Sequence, residues 1–344
     1  MRLVLLPAMP SDSNGYGIAV KDDISRLALS DNDIVVYYTN DSLKDDEPSK
    51  VINRFPRLSW RRVSNLLFFK TSTEISTKDL KKLHIDLDSV NEIFCGEVVF
   101  YRALRSLFPS KIITVRFHNC YARIYDRVRL FKTGDLSLVY KVNLRLFYLL
   151  EKEIFNDTNT YKIFISDEDR YYYVSNSGKA GDSEVWGFSP NNELILKNRF
   201  GISTMKRIVW FGGLDSHKID SVKWFIHSVF PKLLELFPWL EFHLFGKDTE
   251  QFTNPTINIL GHGFYKKSDM PYKSDAIYIN PDLTGGGVKI KLLNYFESGV
   301  CFITTPYGYE GYSKDLIDGH YCAVVEPEKW FEFLKNVFEQ NKCY

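Results

Sequence analysis

Short apolar runs alternate along the chain with longer stretches in which apolar residues recur every third or fourth position. Residues 3–6 form an apolar run, 34–38 are β-branched and aromatic, and 112–117 and 162–165 repeat that character, so four strands are predicted there. Between them, residues 18–29, 99–107 and 136–155 carry the helical period. In the second half, strands are predicted at 208–211, 242–245, 257–260, 276–279, 302–304 and 322–325. Residues 221–237 place Val222, Phe225, Ile226, Val229, Phe230, Leu233, Leu234 and Phe237 on one helical face. Further helices are predicted at 290–296 and at 328–340, the latter with Trp330, Phe331, Phe333, Leu334 and Val337 inward.

Strand and helix taken in turn predict parallel sheets flanked by helices. Between the halves, residues 175–206 carry Ser175, Asn176, Ser177, Gly178, Gly181, Pro190, Asn191 and Asn192, a loop composition that reads as the passage between domains. One short strand near Val185 and Trp186 belongs with the first half. The expected fold is α/β, with two Rossmann-like domains at 1–180 and 207–326 and a link at 181–206. A terminal helix at 327–344 is expected to pack back on the first domain. Ligands of open parallel sheets bind beyond the carboxyl ends of the strands, so the site is expected in a cleft between the two domains.

Composition narrows the function. The chain has 344 residues, 44% hydrophobic and 25% charged, an ordinary globular balance with room for two cores. A net charge of +1 lacks the basic footprint of a nucleic-acid binder. The five cysteines, Cys95, Cys120, Cys301, Cys322 and Cys343, are scattered and form no CxxC pair, which predicts free thiols in a reducing, cytoplasmic setting. The seven histidines are equally dispersed, so no metal site and no cofactor are expected. The N-terminal apolar run is too short for a signal peptide and no stretch is long enough to span a bilayer.

The densest chemistry lies at 280–295, Asn-Pro-Asp-Leu-Thr-Gly-Gly-Gly-Val-Lys-Ile-Lys-Leu-Leu-Asn-Tyr. A strand ends, Gly285, Gly286 and Gly287 follow, and a helix begins. Glycines let backbone approach a ligand closely, and a helix N-terminus attracts an anion such as a diphosphate. Around it stand Val-Trp-Phe-Gly-Gly-Leu-Asp-Ser-His-Lys at 209–218, Phe245-Gly246, Leu260-Gly261-His262-Gly263, and 299–311, which runs from Gly299 to Glu310-Gly311.

This ordered set, spanning about 207–326, resembles the donor-binding domain of GT-B glycosyltransferases, most of all glycosyltransferase family four. The resemblance implies a retaining, metal-independent transfer of sugar from a nucleotide-sugar substrate. It implies diphosphate contacts at Lys218 and Lys291, with Gly213, Gly263 and Gly285 to Gly287 against the donor. Two acidic positions of the family fall on Gly286 and Asn294; Asn294 retains the ability to hold hydroxyls, whereas Gly286 retains no side chain. Glu310 is the surviving acidic candidate beside the donor.

In the first domain, the loop Pro7-Ala-Met-Pro-Ser-Asp-Ser-Asn-Gly-Tyr-Gly17 stands where the family has a glycine-rich loop. That likeness implies donor contacts at Gly15 and Gly17 and an acceptor contact at Asn14. Arg116, His118 and Asn119 end a strand where the family often lines the cleft with a His, implying acceptor contacts and, for His118, a catalytic one. Ser166-Asp167-Glu168 matches a family turn but reads equally as a helix N-cap.

Two basic and aromatic stretches, 60–70 and 121–132, suit an anionic membrane surface, or alternatively a solvated helix face over buried aromatics. Asp86-Leu87-Asp88 reads as surface. Together these readings predict transfer to a glycan or lipid-linked oligosaccharide, in bacterial surface polysaccharide synthesis, at the cytoplasmic face of the inner membrane. A non-catalytic partner subunit and a nucleotide-sugar epimerase are the alternatives, and nucleic acid is not an expected partner.

Overall fold

The computed structural model describes residues 1–11, 15–40, 49–56, 59–130, 138–190, 205–212, 216–265, 271–272, 274–283, 287–317 and 322–340, with backbone alone at 128–130 and 216–218. The chain divides into two units, Met1–Gly187 and Phe188–Tyr344.

The first unit is built on seven strands: β1 Arg2–Leu6, β2 Ile34–Tyr38, β3 Lys50–Ile52, β4 Glu92–Cys95, β5 Ile113–Phe117, β6 Thr160–Phe164 and β7 Ser183–Val185. They lie in the order β3-β2-β1-β4-β5-β6-β7, and every pairing is parallel. β1 shows why its sequence reads as a continuous apolar run. Leu3 and Leu5 enter one core and Val4 and Leu6 the other, because successive side chains of a strand point to opposite faces. Each such fully buried side chain contributes about 1.5–3 kcal/mol.

The second unit repeats the scheme with β8 Arg207–Phe211, β9 Glu241–Phe245, β10 Ile259–Gly261, β11 Ala276–Asn280, β12 Phe302–Thr304 and β13 Cys322–Val324. Their order is β10-β9-β8-β11-β12-β13, again all parallel. Ile208 and Trp210 of β8 face one core and Val209 the other. In both sheets the order reverses beside the first strand, between β1 and β4 and between β8 and β11, which is where doubly wound sheets bind ligands.

Several expectations need correction. The terminal helix Trp330–Gln340 packs within the second unit, where Trp330, Leu334, Val337 and Phe338 join the core of β8, β9 and β11. The helix expected over 221–237 begins at Ser216 and passes through a π segment, Phe225–Val229, before Phe230–Leu236. Pro231 accounts for the break: it has no N–H to donate, and its ring crowds the carbonyl four residues back. Cys301 is disulfide-bonded, whereas Cys95, Cys120 and Cys322 are free and buried. Strands β3 and β4 are additional to the expected set. Among the described residues no helix is long and apolar enough to cross a membrane.

Candidate functional site

In the second unit the turn after β11 is held from three sides. Buried Asn280 ends the strand and donates from Nδ2 to Thr304 Oγ1 at the end of β12, 3.1 Å away. Thr305 donates its hydroxyl to the Asp282 carbonyl and accepts from Gly308 N at 3.0 Å, capping the short helix Pro306–Tyr309. Leu283 N donates to Ser221 Oγ at 3.1 Å, which fixes the turn to helix Ser216–Trp224. Gly287 leaves the turn at φ +68°, a left-handed conformation that favours glycine. Helix Ile290–Glu297 follows. Its Lys291 Nζ lies 3.5 Å from Asp282 Oδ1 and 5.4 Å from the centroid of the Trp210 ring. Tyr295, fully buried on the same helix, accepts from Phe211 N at 3.3 Å at the end of β8. The ends of β8 and β11, the helix after each, and one cation are thereby brought together.

Of the expected donor contacts, Gly213, Gly285 and Gly286 lie outside the described residues, as does the side chain of Lys218, whose backbone stands in the first turn of helix Ser216–Trp224. Asn294 is half-buried on helix Ile290–Glu297, and Glu310 half-buried just beyond helix Pro306–Tyr309. Gly263 has other work. Its N–H donates to Thr249 Oγ1 at 2.9 Å and its carbonyl accepts from Gly246 N at 2.7 Å. Its φ of +70° is a left-handed conformation that favours glycine, so its glycine serves the local backbone.

In the first unit, Arg116, expected as an acceptor contact, is fully buried. Arg116 and Asp23 are both fully buried and joined at 3.0 Å through Nε and Oδ1. The two terminal nitrogens donate to the Phe164 and Trp186 carbonyls at 2.9 and 2.8 Å. Burial of a guanidinium demands such pairing. Gly17 is likewise needed for packing, since a Cβ there would sit 2.5 Å from that of Ser11. Gly15 is exposed and opens helix Gly15–Leu27, and Asn14 lies outside the described residues.

His118 does sit in a polar cluster. Its Nε2 is 3.2 Å from Asp23 Oδ2, without the alignment of a hydrogen bond, and the Tyr16 ring meets it edge-on at 6.0 Å. Tyr16 in turn donates to Glu97 Oε2 at 3.4 Å, accepts from Asn119 Nδ2 at 3.4 Å, and lies 3.4 Å from the Tyr121 hydroxyl. Burial pushes the Glu97 carboxyl above its ordinary range, with His118 the strongest opposing influence. Asp23, Glu97, Tyr16 and Tyr121 are absent from the sequence-derived set. The only signal was adjacency for Tyr16, between Gly15 and Gly17, and for Tyr121, two residues after Asn119.

Ser166 accepts from Asp169 N at 3.2 Å and caps helix Asp167–Ser177, the N-cap reading of that turn. Two aromatic residues of 121–132 pack on the following helix, Tyr121 stacking on Phe147 at 4.1 Å and Tyr125 lying against Tyr148 at 4.9 Å, while Phe131 lies outside the described residues. Among the described residues no group of three or more His, Cys, Asp or Glu is gathered as a metal ion would require.

Residues 205–339, most of the second unit, match the family described as Glycosyl transferases group 1. No curated protein matches the chain. Solved structures match it end to end. WaaG, a glycosyltransferase involved in lipopolysaccharide biosynthesis, superposes with a TM-score of 0.66 at 12% identity over 99% of this chain and 91% of its own. Alr3699/HepE of Anabaena, in complex with UDP and glucose, gives 0.60 at 13% identity over 100% and 92%. A UDP-forming α,α-trehalose-phosphate synthase from Burkholderia xenovorans gives 0.57 at 12% identity over 99% and 90%. The fold is that of the GT-B glycosyltransferases. Over residues 205–339 the second unit is similar to the Glycosyl transferases group 1 family.

Proposed function

We propose that this enzyme moves a sugar from a nucleotide-sugar donor to a hydroxyl of a glycan or lipid-linked oligosaccharide, with retention and without a metal. Its place would be bacterial surface polysaccharide assembly, at the cytoplasmic face of the membrane. The observation that carries the reading is the switch-point turn of the group 1 domain. There Asp282, Lys291, Trp210 and Ser221 are gathered at the ends of β8 and β11, and Gly287 is held left-handed just before a helix N-terminus. HepE, which has the same fold, is described in complex with UDP-glucose, in keeping with a nucleotide-sugar donor.

In this reading the second unit holds the donor. As the glycosidic bond breaks, charge develops on the diphosphate, and preorganised cations and N–H groups stabilise it. Lys218 and Lys291 would supply the cations, and the backbone at 285–287 the N–H groups. Lys291 is already held by Asp282, so the diphosphate would have to compete with that carboxylate for the ammonium. Asn294 would take the ribose hydroxyls and Glu310 would face the donor sugar. The first unit would receive the acceptor beside His118 and Asn119, with Asp23 orienting the imidazole.

Ligand-observed NMR against UDP-, GDP-, dTDP- and ADP-sugars, with donor hydrolysis followed in the same samples, tests it. We expect saturable binding to one nucleotide. Lys218→Ala should weaken it by about 1.5–3 kcal/mol, the worth of a charge-assisted hydrogen bond. A folded protein that binds none of them would be a partner subunit, and isomerisation of the donor without acceptor would mark an epimerase.

A further inference from the structure

Apart from the cluster around His118, the first unit carries a cavity of about 450 Å³ between helices Tyr121–Leu130 and Asp167–Ser177. The size is that of a small-molecule pocket. Arg123 lines it from the first helix. The second helix lines it with residues 167–168, 171–172 and 175–176, which recur every fourth position and so share one face. The two helices follow β5 and β6, so the end of the cavity formed by Arg123 and Asp167 lies toward the carboxyl edge of the sheet, where His118 and Asn119 stand.

The walls are fixed. Arg123 Nη1 lies 2.9 Å from Asp169 Oδ1, with both side chains largely buried. The Tyr172 hydroxyl donates to Asp126 Oδ2 at 2.6 Å. Lys152 Nζ stands 5.7 Å from the centroid of the Tyr172 ring and donates to Asn176 Oδ1 at 3.0 Å. Tyr171 is unlike these. It is 74% exposed, and among the described residues it makes no hydrogen bond and no ring contact. A lone exposed ring is ordinary on a surface. Set at the rim of a fixed cavity, it offers its face to whatever enters.

The lining selects a neutral ligand rich in hydroxyls. The Arg123 charge is met by Asp169, and Asp167 and Glu168 add two carboxylates, which disfavours a phosphate or another anion. Arg123 in the wall and Lys152 behind Tyr172 disfavour an ammonium. Asp167, Glu168 and Ser175 present oxygens that accept from hydroxyls, beside the rings of Tyr171 and Tyr172. A sugar ring supplies both complements, hydroxyls at its edge and C–H groups on its faces.

We propose that this cavity binds a neutral sugar residue, with one face of the sugar on Tyr171 and its hydroxyls on Asp167 and Glu168. Its use as a second subsite, for a sugar of the acceptor beyond the one that reacts, rests on the transfer reading; the binding itself does not.

Saturation-transfer NMR of the full chain with a panel of methyl hexosides and methyl N-acetylhexosaminides, without nucleotide, tests the proposal. We expect saturable binding of at least one of them at millimolar concentration. Tyr171→Ala should weaken it roughly fivefold or more, the scale of losing one aromatic face, and Tyr171→Trp should keep or strengthen it. Because Tyr171 is exposed, Tyr171→Ala should leave the unfolding midpoint unchanged, which separates a lost site from a lost fold. Failure of the folded wild type to bind any glycoside would overturn the proposal, as would unchanged affinity in Tyr171→Ala. Binding lost in His118→Ala and kept in Tyr171→Ala would overturn it too, by placing the sugar in the His118 cluster. So would binding of tetramethylammonium, weakened by Tyr171→Ala, in a protein that binds no glycoside. Nucleotide binding is read separately: its absence beside intact, Tyr171-dependent glycoside binding would fail the transfer reading and support this site.

Discussion

A guanidinium with no exposed surface must be paired on all its nitrogens, and Arg116 is. Removing one partner of a buried ion pair leaves the other charge uncompensated, at a cost of about 3–5 kcal/mol. Arg116→Met should therefore lower unfolding stability by that order in urea titration. An unchanged urea midpoint would return Arg116 to the acceptor site. The same strand end shows what single residues reveal and conceal. Arg116, His118 and Asn119 can be picked out as polar residues closing an apolar strand, but the residue types alone do not say which of them points into the sheet. His118 and Asn119 come together with Tyr16 and Glu97, whereas Arg116 is sealed beneath them. Glu97 was hidden for a different reason. It follows β4, whose four residues include the charged Glu92 and are too few to announce a strand by pattern.

At the scale of elements, long-range capping decides what periodicity does not. Helix Tyr121–Leu130 begins with two N–H groups that need acceptors, and both are met by a residue thirty positions away. Tyr121 N donates to Glu151 Oε1 at 2.9 Å and Ala122 N to Glu151 Oε2 at 2.5 Å. Burial holds the Glu151 carboxyl well above its ordinary range. Glu151→Leu would leave both donors unsatisfied, at roughly 1–3 kcal/mol each. We expect a matching loss of stability and faster amide exchange at the start of that helix. The edge formed by β9 and β10 carries a pH dependence. His243 Nε2 lies 3.0 Å from Glu241 Oε2 and its Nδ1 2.9 Å from His262 Nε2, while Arg207 binds both Glu241 and Asp275. Burial lowers both imidazoles below their ordinary 6.5, and His243 lowers His262 further. Unfolding lets them take protons at higher pH than the folded unit allows. Their contribution is thus present above 6.5 and lost as pH falls through the folded values. Glu241, lowered mainly by its bond to His243, shifts stability in the same direction at lower pH. Denaturation midpoints measured from neutral to mildly acid pH should fall, and His262→Phe, which keeps the stack on Phe245, should flatten the fall.

On the scale of the whole molecule, the two-sheet plan was legible because strands buried on both faces write continuous apolar runs. β1, β8 and β11 all do so. The partner of the terminal helix was not legible: an amphipathic stripe says that a face is buried, not against what, and Trp330 proved to belong to the second core. A net charge of +1 likewise conceals the one-signed stretches around Trp60 and Lys141. The division into units makes a prediction about ligand linkage. A donor that binds the folded second unit and not the unfolded chain stabilises it by mass action, about 2.7 kcal/mol at a hundred times Kd. If the diphosphate sits at the turn after β11, the gain belongs first to the unit that contains Asn280, Asp282 and Lys291. Nucleoside diphosphate should then slow amide exchange in β8, β11 and helix Ile290–Glu297 more than in β1, β4 and β5. Lys218→Ala should remove most of that protection at fixed ligand concentration, because weaker binding lowers the occupancy that sets it. Protection centred instead on the first unit would move the nucleotide to the cluster of Tyr16, Glu97 and His118, and would leave the Asp282–Lys291 pair a structural contact of the second core.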